Sequence, residues 1–195
     1  MASNGTRFSV GGVLLPRPFK ITRIGPVNLF VDDLNATREY YQDVLGFTPT
    51  EEVDYQGEKC VFLRCDNEHH SLGLFPKSLR SKLGLKPDSS NMSFGIQVAN
   101  YRQLKDAIGF LRENGVRVET DIIPPELHPG IDYAAYAFDP DGHCLELYFS
   151  MEQLGWDGNP RPASLRRKVD PNNWPESLEG NSDTFSGEPF MGPWQ

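Results

Sequence analysis

Two stretches of the chain repeat one hydrophobic grammar. In the first, "VNLFV" at Val27 to Val31 alternates Val27, Leu29 and Val31 with Asn28 and Phe30, the period of a strand with two distinct faces. Asp33 then stands where a helix N-cap is expected. Leu34, Thr37, Tyr41, Val44 and Leu45 return at helical spacing up to Gly46, a residue suited to a left-handed C-terminal cap. Strands are expected next over Thr48 to Tyr55, Glu58 to Arg64 and Ser71 to Phe75. In the second stretch "FGIQV" at Phe94 to Val98 alternates in the same way, and Asn100 and Gln103 have the spacing of a capping box. Leu104, Ala107, Ile108 and Leu111 then lie at i, i+3, i+4 and i+7 before the "ENG" terminator at Glu113 to Gly115. Strands are expected again over Arg117 to Thr120, Tyr133 to Phe138 and Cys144 to Phe149. The offset from Val27 to Phe94 nearly equals that from Leu74 to Leu147, so the chain reads as two tandem βαβββ modules.

That repeat sets the expected organisation. Residues 1–20 are a flexible N-terminal segment, 21–76 the first module, 77–91 a linker, 92–150 the second module and 151–195 an extended C-terminal arm. The linker, within "PKSLRSKLGLKPDSSN", is polar and Pro-bounded, with room for one short helical turn. The arm is rich in Pro, Gly and Asn yet carries Trp156, Trp174, Phe185, Phe190 and Trp194. A purely solvated linker would not carry so many aromatics, so the arm is expected to wrap along the body or reach a neighbouring subunit.

Composition narrows the partners. A chain of 195 residues can bury one good core, and its 38% apolar content with 16 Pro and 18 Gly leaves part of it extended. A formal charge of -8, with no basic run longer than "RRK" at Arg166 to Lys168, argues against nucleic acid. The opening residues hold only a brief, Gly-broken apolar patch, and no run is long enough to span a bilayer, so neither an export signal nor a membrane partner is expected. Cys60, Cys65 and Cys144 are odd in number and lack C-x-x-C spacing, which excludes a disulfide framework and a structural zinc site and fits a reducing cytoplasm.

Paired modules carrying "VDDLNATREYYQDVLGF" early and "FDPDGHCLELYF" late resemble the vicinal oxygen chelate superfamily, which includes glyoxalase I, bleomycin-resistance proteins and extradiol ring-cleaving dioxygenases. The likeness spans Ile21 to Phe149, and "HHSLGLF", "LHPGIDYAAYAF" and "DPDGHCLELYF" are most similar to segments of the catechol-type dioxygenases. The resemblance implies an α+β fold in which each module curls its part of a mixed sheet into a half-barrel and the two halves form a cup. It implies a homodimer, a small aromatic molecule as ligand, and Fe(II) or another divalent metal on the cup floor. The metal positions fall on Pro26, Gly73, Ser93 and Glu146, and Pro26 and Ser93 stand where the dioxygenases have histidines. Glu146 is the one competent ligand among them, whereas such sites need at least three protein donors.

By the same matching, His70 resembles the histidine that faces dioxygen and does acid-base work. His128 resembles the one that hydrogen-bonds the substrate phenol, and Tyr136 the tyrosine of that pocket. Imidazoles near neutral pKa suit proton transfer, and a phenol can donate to a developing oxyanion. Glu146, between Leu145 and Leu147, is expected to face the cup with a partner or a raised pKa. His69 is expected on the opposite, exposed face by strand alternation, and Asp141 and His143 have an account in turn chemistry alone. Three functions follow. One is an extradiol-dioxygenase-like protein acting on a small phenolic compound, with His70, His128 and Glu146 as a shifted two-histidine, one-carboxylate metal set. Another is a metal-free isomerase, cyclase or hydrolase using His70 and His128, and the third a ligand-sequestering protein of the bleomycin-resistance type.

Overall fold

The computed structural model describes residues 8–10, 13–15, 17–85, 89–140, 142–154 and 158–178. Asp141, Trp156, Phe185, Phe190 and Trp194 lie outside the described residues. Strands β1 (Phe8–Val10) and β2 (Val13–Leu15) form an antiparallel pair. The first βαβββ unit consists of β3 (Ile21–Val31), α1 (Leu34–Glu39), β4 (Thr48–Tyr55), β5 (Glu58–Arg64) and β6 (Leu72–Pro76). A short helix α2 (Leu79–Lys82) leads into the second, made of β7 (Asn91–Val98), α3 (Tyr101–Glu113), β8 (Val118–Glu119), β9 (Ala134–Phe138) and β10 (Cys144–Tyr148). No helix among the described residues is long and apolar enough to cross a membrane.

All eight strands of the two units join one mixed sheet in the order β4-β5-β6-β3-β7-β10-β9-β8. Within each unit the first strand runs parallel to the last, β3 with β6 and β7 with β10. The units meet through the antiparallel pair β3 and β7, so both halves of the cup belong to one chain. The sheet keeps two free edges, β4 and β8, and is an open cup and not a closed barrel. β3 starts at Ile21, before the alternating core at Val27, because Ile21 to Ile24 find a partner in Ile96 to Val98 of β7.

Alternation along the strands sorts the side chains into two layers. Val61, Leu63, Leu72 and Leu74 form the outer layer of the first unit, with Leu34 and Tyr41 packed against them. In the second unit Val98, Ala135, Ala137 and Leu147 meet Leu104, Ala107 and Ile108 of α3. The inner layer holds Phe30, Cys60, Phe62, Phe75, Tyr136, Cys144 and Tyr148, closed over by Leu79, Leu83, Leu85, Ile123, Leu127 and Ile131.

Two helix expectations are corrected. The first helix does not run as α-helix to Leu45: α1 buries no residue, and after Glu39 it widens into a π-helical turn at Tyr40–Val44, which sets Tyr41 edge-on to Phe47. Asn100 caps α3 by accepting from Gln103 N at 2.9 Å, but the Gln103 side chain does not reach back to complete a capping box. Its Oε1 accepts instead from Lys20 N at 2.8 Å, tying the segment before β3 to the second unit.

Residues 158–178 lie against the body. The Trp174 ring meets Tyr133 edge-on at 5.3 Å, the Tyr101 hydroxyl donates to Pro175 O at 2.5 Å, and Lys105 pairs with Glu176 at 2.9 Å.

Candidate functional site

The inner face of the sheet becomes polar where β3, β6, β7 and β10 run side by side. Asn28 is opposite Ser93 across the β3/β7 pair and opposite Gly73 across β3/β6, while Glu146 is opposite Gly95 on β7 and Tyr136 on β9. The two glycines make the room. A Cβ on Gly73 would stand 2.4 Å from Asn28 Oδ1, and one on Gly95 would stand 2.0 Å from Gly25 O and 2.5 Å from Pro26 Cδ. On this floor Asn28 Nδ2 donates to Ser93 Oγ at 2.9 Å and to Glu146 Oε2 at 3.2 Å, and Ser93 Oγ lies 3.5 Å from the same oxygen. Asn28, Ser93 and Glu146 are all buried. Burial pushes the Glu146 carboxyl up to about 7, against the pull of the hydrogen bonds from Ser93 and Asn28.

The wall is built by residues preceding β6 and by the loop before β9. Both His69 and His70 are 0% exposed, which corrects the expectation for His69. Alternation does not apply there because β6 begins only at Leu72, and residues 69–70 are irregular. The His69 N–H donates to Glu152 O at 2.8 Å, Glu68 bridges to Gln153, and Gly130, at φ +84°, brings its loop close over the His69 side chain. His69 Nδ1 lies 3.1 Å from His70 Nδ1, and His69 Nε2 lies 3.0 Å from Glu51 Oε2. The His70 ring meets Phe62 edge-on at 5.0 Å. Burial holds the His70 imidazole well below the usual histidine range, with His69, His128 and Arg166 adding to the effect.

His128 and Tyr136 close the cup from the second unit. His128 Nδ1 donates to Ile131 O at 3.1 Å, its ring stands 6.3 Å from that of Tyr136, and burial lowers its pKa to about 4. Tyr136 is fully buried beside Glu146, and burial followed by that carboxyl pushes its phenol well above the usual range. Asn28 Oδ1 and His70 Nε2 are buried without a partner among the described residues, while Tyr136 Oη and Glu146 Oε1 lie buried beside one another, each with only the other in reach. A cleft of about 80 Å³ reaches His128 from outside, lined by Ile123, Pro124, Ile131, Arg167 and Trp174 among others.

Pro26 is buried in the floor, but its side chain brings no hydrogen-bonding atom; Asn28, two residues on, reaches the carboxylate. Sequence reasoning missed Asn28. Its signal was a polar residue among the apolar positions of "VNLFV". Neither metal set fits. The floor supplies one carboxylate, one hydroxyl and an amide whose NH₂ faces the carboxylate, where a cation would need lone pairs. No group of three His, Cys, Asp or Glu side chains among the described residues is arranged to hold a metal, and the shifted set of His70, His128 and Glu146 finds no support there.

Residues 23–147 match the Glyoxalase/Bleomycin resistance protein/Dioxygenase superfamily. The chain belongs to this superfamily. Over 132 residues, 68% of its length, it is 26% identical to the 2,2',3-trihydroxybiphenyl dioxygenase of Sphingomonas paucimobilis, covering 42% of that protein. It is 27% identical over 140 residues to the catechol-2,3-dioxygenase of Bacillus subtilis, covering 69% of this chain and 44% of that one. Among solved structures it resembles an extradiol ring-cleaving dioxygenase from B. fuscum, with 25% identity and a TM-score of 0.53 over 70% of this chain and 35% of the other. The chain thus spans less than half the length of the relatives it matches.

Proposed function

We propose that the chain takes a small phenolic, catechol-like compound into the cup and acts on it by proton transfer, without a resident metal. The observation that carries this reading is a set of four buried polar atoms with unused hydrogen-bonding capacity: Asn28 Oδ1 and His70 Nε2, without a partner among the described residues, and Tyr136 Oη and Glu146 Oε1, which have only each other in reach. Buried polar atoms are almost always paired, and leaving one unpaired costs about 1–3 kcal/mol. A ligand with neighbouring hydroxyls answers the set. Asn28 Oδ1 and an ionised Glu146 accept from hydroxyls, while Tyr136 donates to an oxygen that gains charge. His70 Nε2 takes the phenolic proton, and the rings of Phe62 and Phe75 supply apolar contact. The relatives named for catechol and trihydroxybiphenyl support a phenol pocket, and the floor's donor set supports chemistry other than metal-bound oxygen activation. Isomerisation, cyclisation or hydrolysis of an enolisable phenol is within reach of these groups.

The test is turnover of a panel of catechols and hydroxylated biphenyls by the full chain in the presence of a chelator. His70→Ala and Tyr136→Phe are each expected to lower turnover by roughly a hundredfold or more, the scale of general acid–base loss. Turnover that depends on added Fe(II) and survives His70→Ala would overturn the proposal. A second reading, a sequestering protein, is favoured by the complete burial of His70, Tyr136 and Glu146. It predicts tight binding with the phenol recovered unchanged after prolonged incubation.

A further inference from the structure

The wall of the cup contains a hydrogen-bonded chain that the reading above does not use. It runs from Arg166 Nη2 to Glu51 Oε2 at 2.5 Å, from Glu51 Oε2 to His69 Nε2 at 3.0 Å, and from His69 Nδ1 to His70 Nδ1 at 3.1 Å. His70 Nε2 ends it, buried and without a partner. Glu51 sits on β4, with its side chain 18% exposed, so the chain leads from the rim of the sheet to the interior.

The proton positions follow from the partners. A carboxylate only accepts, so His69 Nε2 carries a hydrogen and a neutral His69 leaves Nδ1 as a lone pair. His70 Nδ1 must then carry the hydrogen between the two rings, which leaves His70 Nε2 as a bare, buried lone pair. Burial works to raise the Glu51 carboxyl, but the hydrogen bonds from His69 and Arg166, together with the charge of Arg166 and the charge His69 can take up, hold it below the ordinary carboxylate range. Glu51 is therefore an anion at neutral pH.

We infer that Glu51, His69 and His70 form a proton relay in which His70 Nε2 accepts a ligand proton while His70 Nδ1 passes its own proton to His69 Nδ1. The ligand hydroxyl becomes an oxyanion, His70 ends neutral with its hydrogen on Nε2, and His69 becomes an imidazolium donating to Glu51 and to His70. One positive and one negative charge appear, and no proton is gained or lost. His69 is as buried as His70, but a charge there is ion-paired with Glu51 at 3.0 Å, whereas a charge on His70 would have no carboxylate partner. Arg166 and His128 are the other charged or titratable groups bearing on His70. Glu51 and His69 are positioning residues here, since neither touches the ligand.

The inference rests on the phenol reading only for the identity of the ligand, and the experiment separates the two. Imidazole-nitrogen NMR of the labelled full chain at neutral pH, without ligand, is expected to show His69 protonated at Nε2 and His70 at Nδ1. His70 protonated at Nε2 instead would overturn the relay. The second arm uses 4-nitrocatechol, whose ionisation is read from its visible absorbance. Bound to the wild-type chain it is expected to be ionised, and Glu51→Gln is expected to lower the ionised-to-neutral ratio at least tenfold. Glu52→Gln, on the same strand but paired with Arg38, is expected to keep that ratio within twofold. Equal ionisation in wild type and Glu51→Gln sinks the relay. If the wild-type chain binds no nitrocatechol, the phenol reading fails, and the NMR pattern alone decides the relay.

Discussion

The two modules share a topology, yet at the register positions that meet in the floor they place opposite residues. In the first, the first strand offers Asn28 and the last strand Gly73; in the second, the first strand offers Gly95 and the last strand Glu146. Each module thus contributes one polar arm and one residue without a side chain beside it. Repeated modules bring equivalent positions to the same depth, so two full side chains per module would collide where these strands run together. The difference between the modules, more than their likeness, lets Asn28 Nδ2 reach Glu146 Oε2. The helices differ in the same sense: α1 buries no residue, whereas α3 buries Tyr101, Gln103, Leu104, Ala107 and Ile108.

The largest effect should come from filling the space opposite Glu146. Gly95→Ala places a methyl group against the Gly25 backbone, which cannot swing aside, and should cost about 4 kcal/mol or prevent folding. Gly73→Ala meets mainly the Asn28 and Phe75 side chains and should cost about 2 kcal/mol. Urea unfolding of both variants measures the difference, and a milder outcome for Gly95→Ala would break the asymmetry.

Next comes the carboxylate itself. Its pKa is about 7 in the folded chain against an ordinary 4.5, so the folded state holds the proton more tightly than the unfolded one. Stability from this group is then complete below about pH 4.5 and falls as pH rises towards 7. Glu146→Gln should be close to neutral at pH 4 and more stable by about 3 kcal/mol at pH 8, at 1.36 kcal/mol per pKa unit. His70 and His128 pull the other way. His128, lowered to about 4, costs stability as pH drops below 6.5, and it does so equally with and without Glu146. A wild-type minus Glu146→Gln difference that stays flat from pH 4 to pH 8 would remove the raised pKa.

The smallest contrast is between the helices. Leu104→Ala removes a fully buried side chain and should cost about 3 kcal/mol, while the half-buried Leu34 should cost about 1 kcal/mol. Equal losses would mean that both helices seal their modules alike.

The two modules, the cap of α3 and the strands β4 and β5 were legible because each is written in local periodicity and capping chemistry. His70, Tyr136 and Glu146 were reachable through family likeness; the structure buries all three, with Tyr136 opposite Glu146 across β9 and β10. Asn28 was not, because matching by motif pointed to Pro26, and alternation gives both residues the same face without saying which one meets the carboxylate. His69 was misplaced because alternation was applied before the strand, which begins only at Leu72. Glu51, on an edge strand reading "TPTEEVDY", carried no sign that separates it from Glu52.

The sequence by itself determined the elements of the two modules, written in spacings of a few positions, and through their recurrence the repeat and the superfamily likeness; it did not give the β1/β2 pair within residues 1–20. Tertiary structure decided which polar atoms meet: Asn28 and Glu146 are 118 residues apart, and Glu51 and Arg166 are 115 apart. Such contacts depend on strand register across the sheet and on the path of the segment after β10. A one-residue slip in either would turn the polar arms away from the cup.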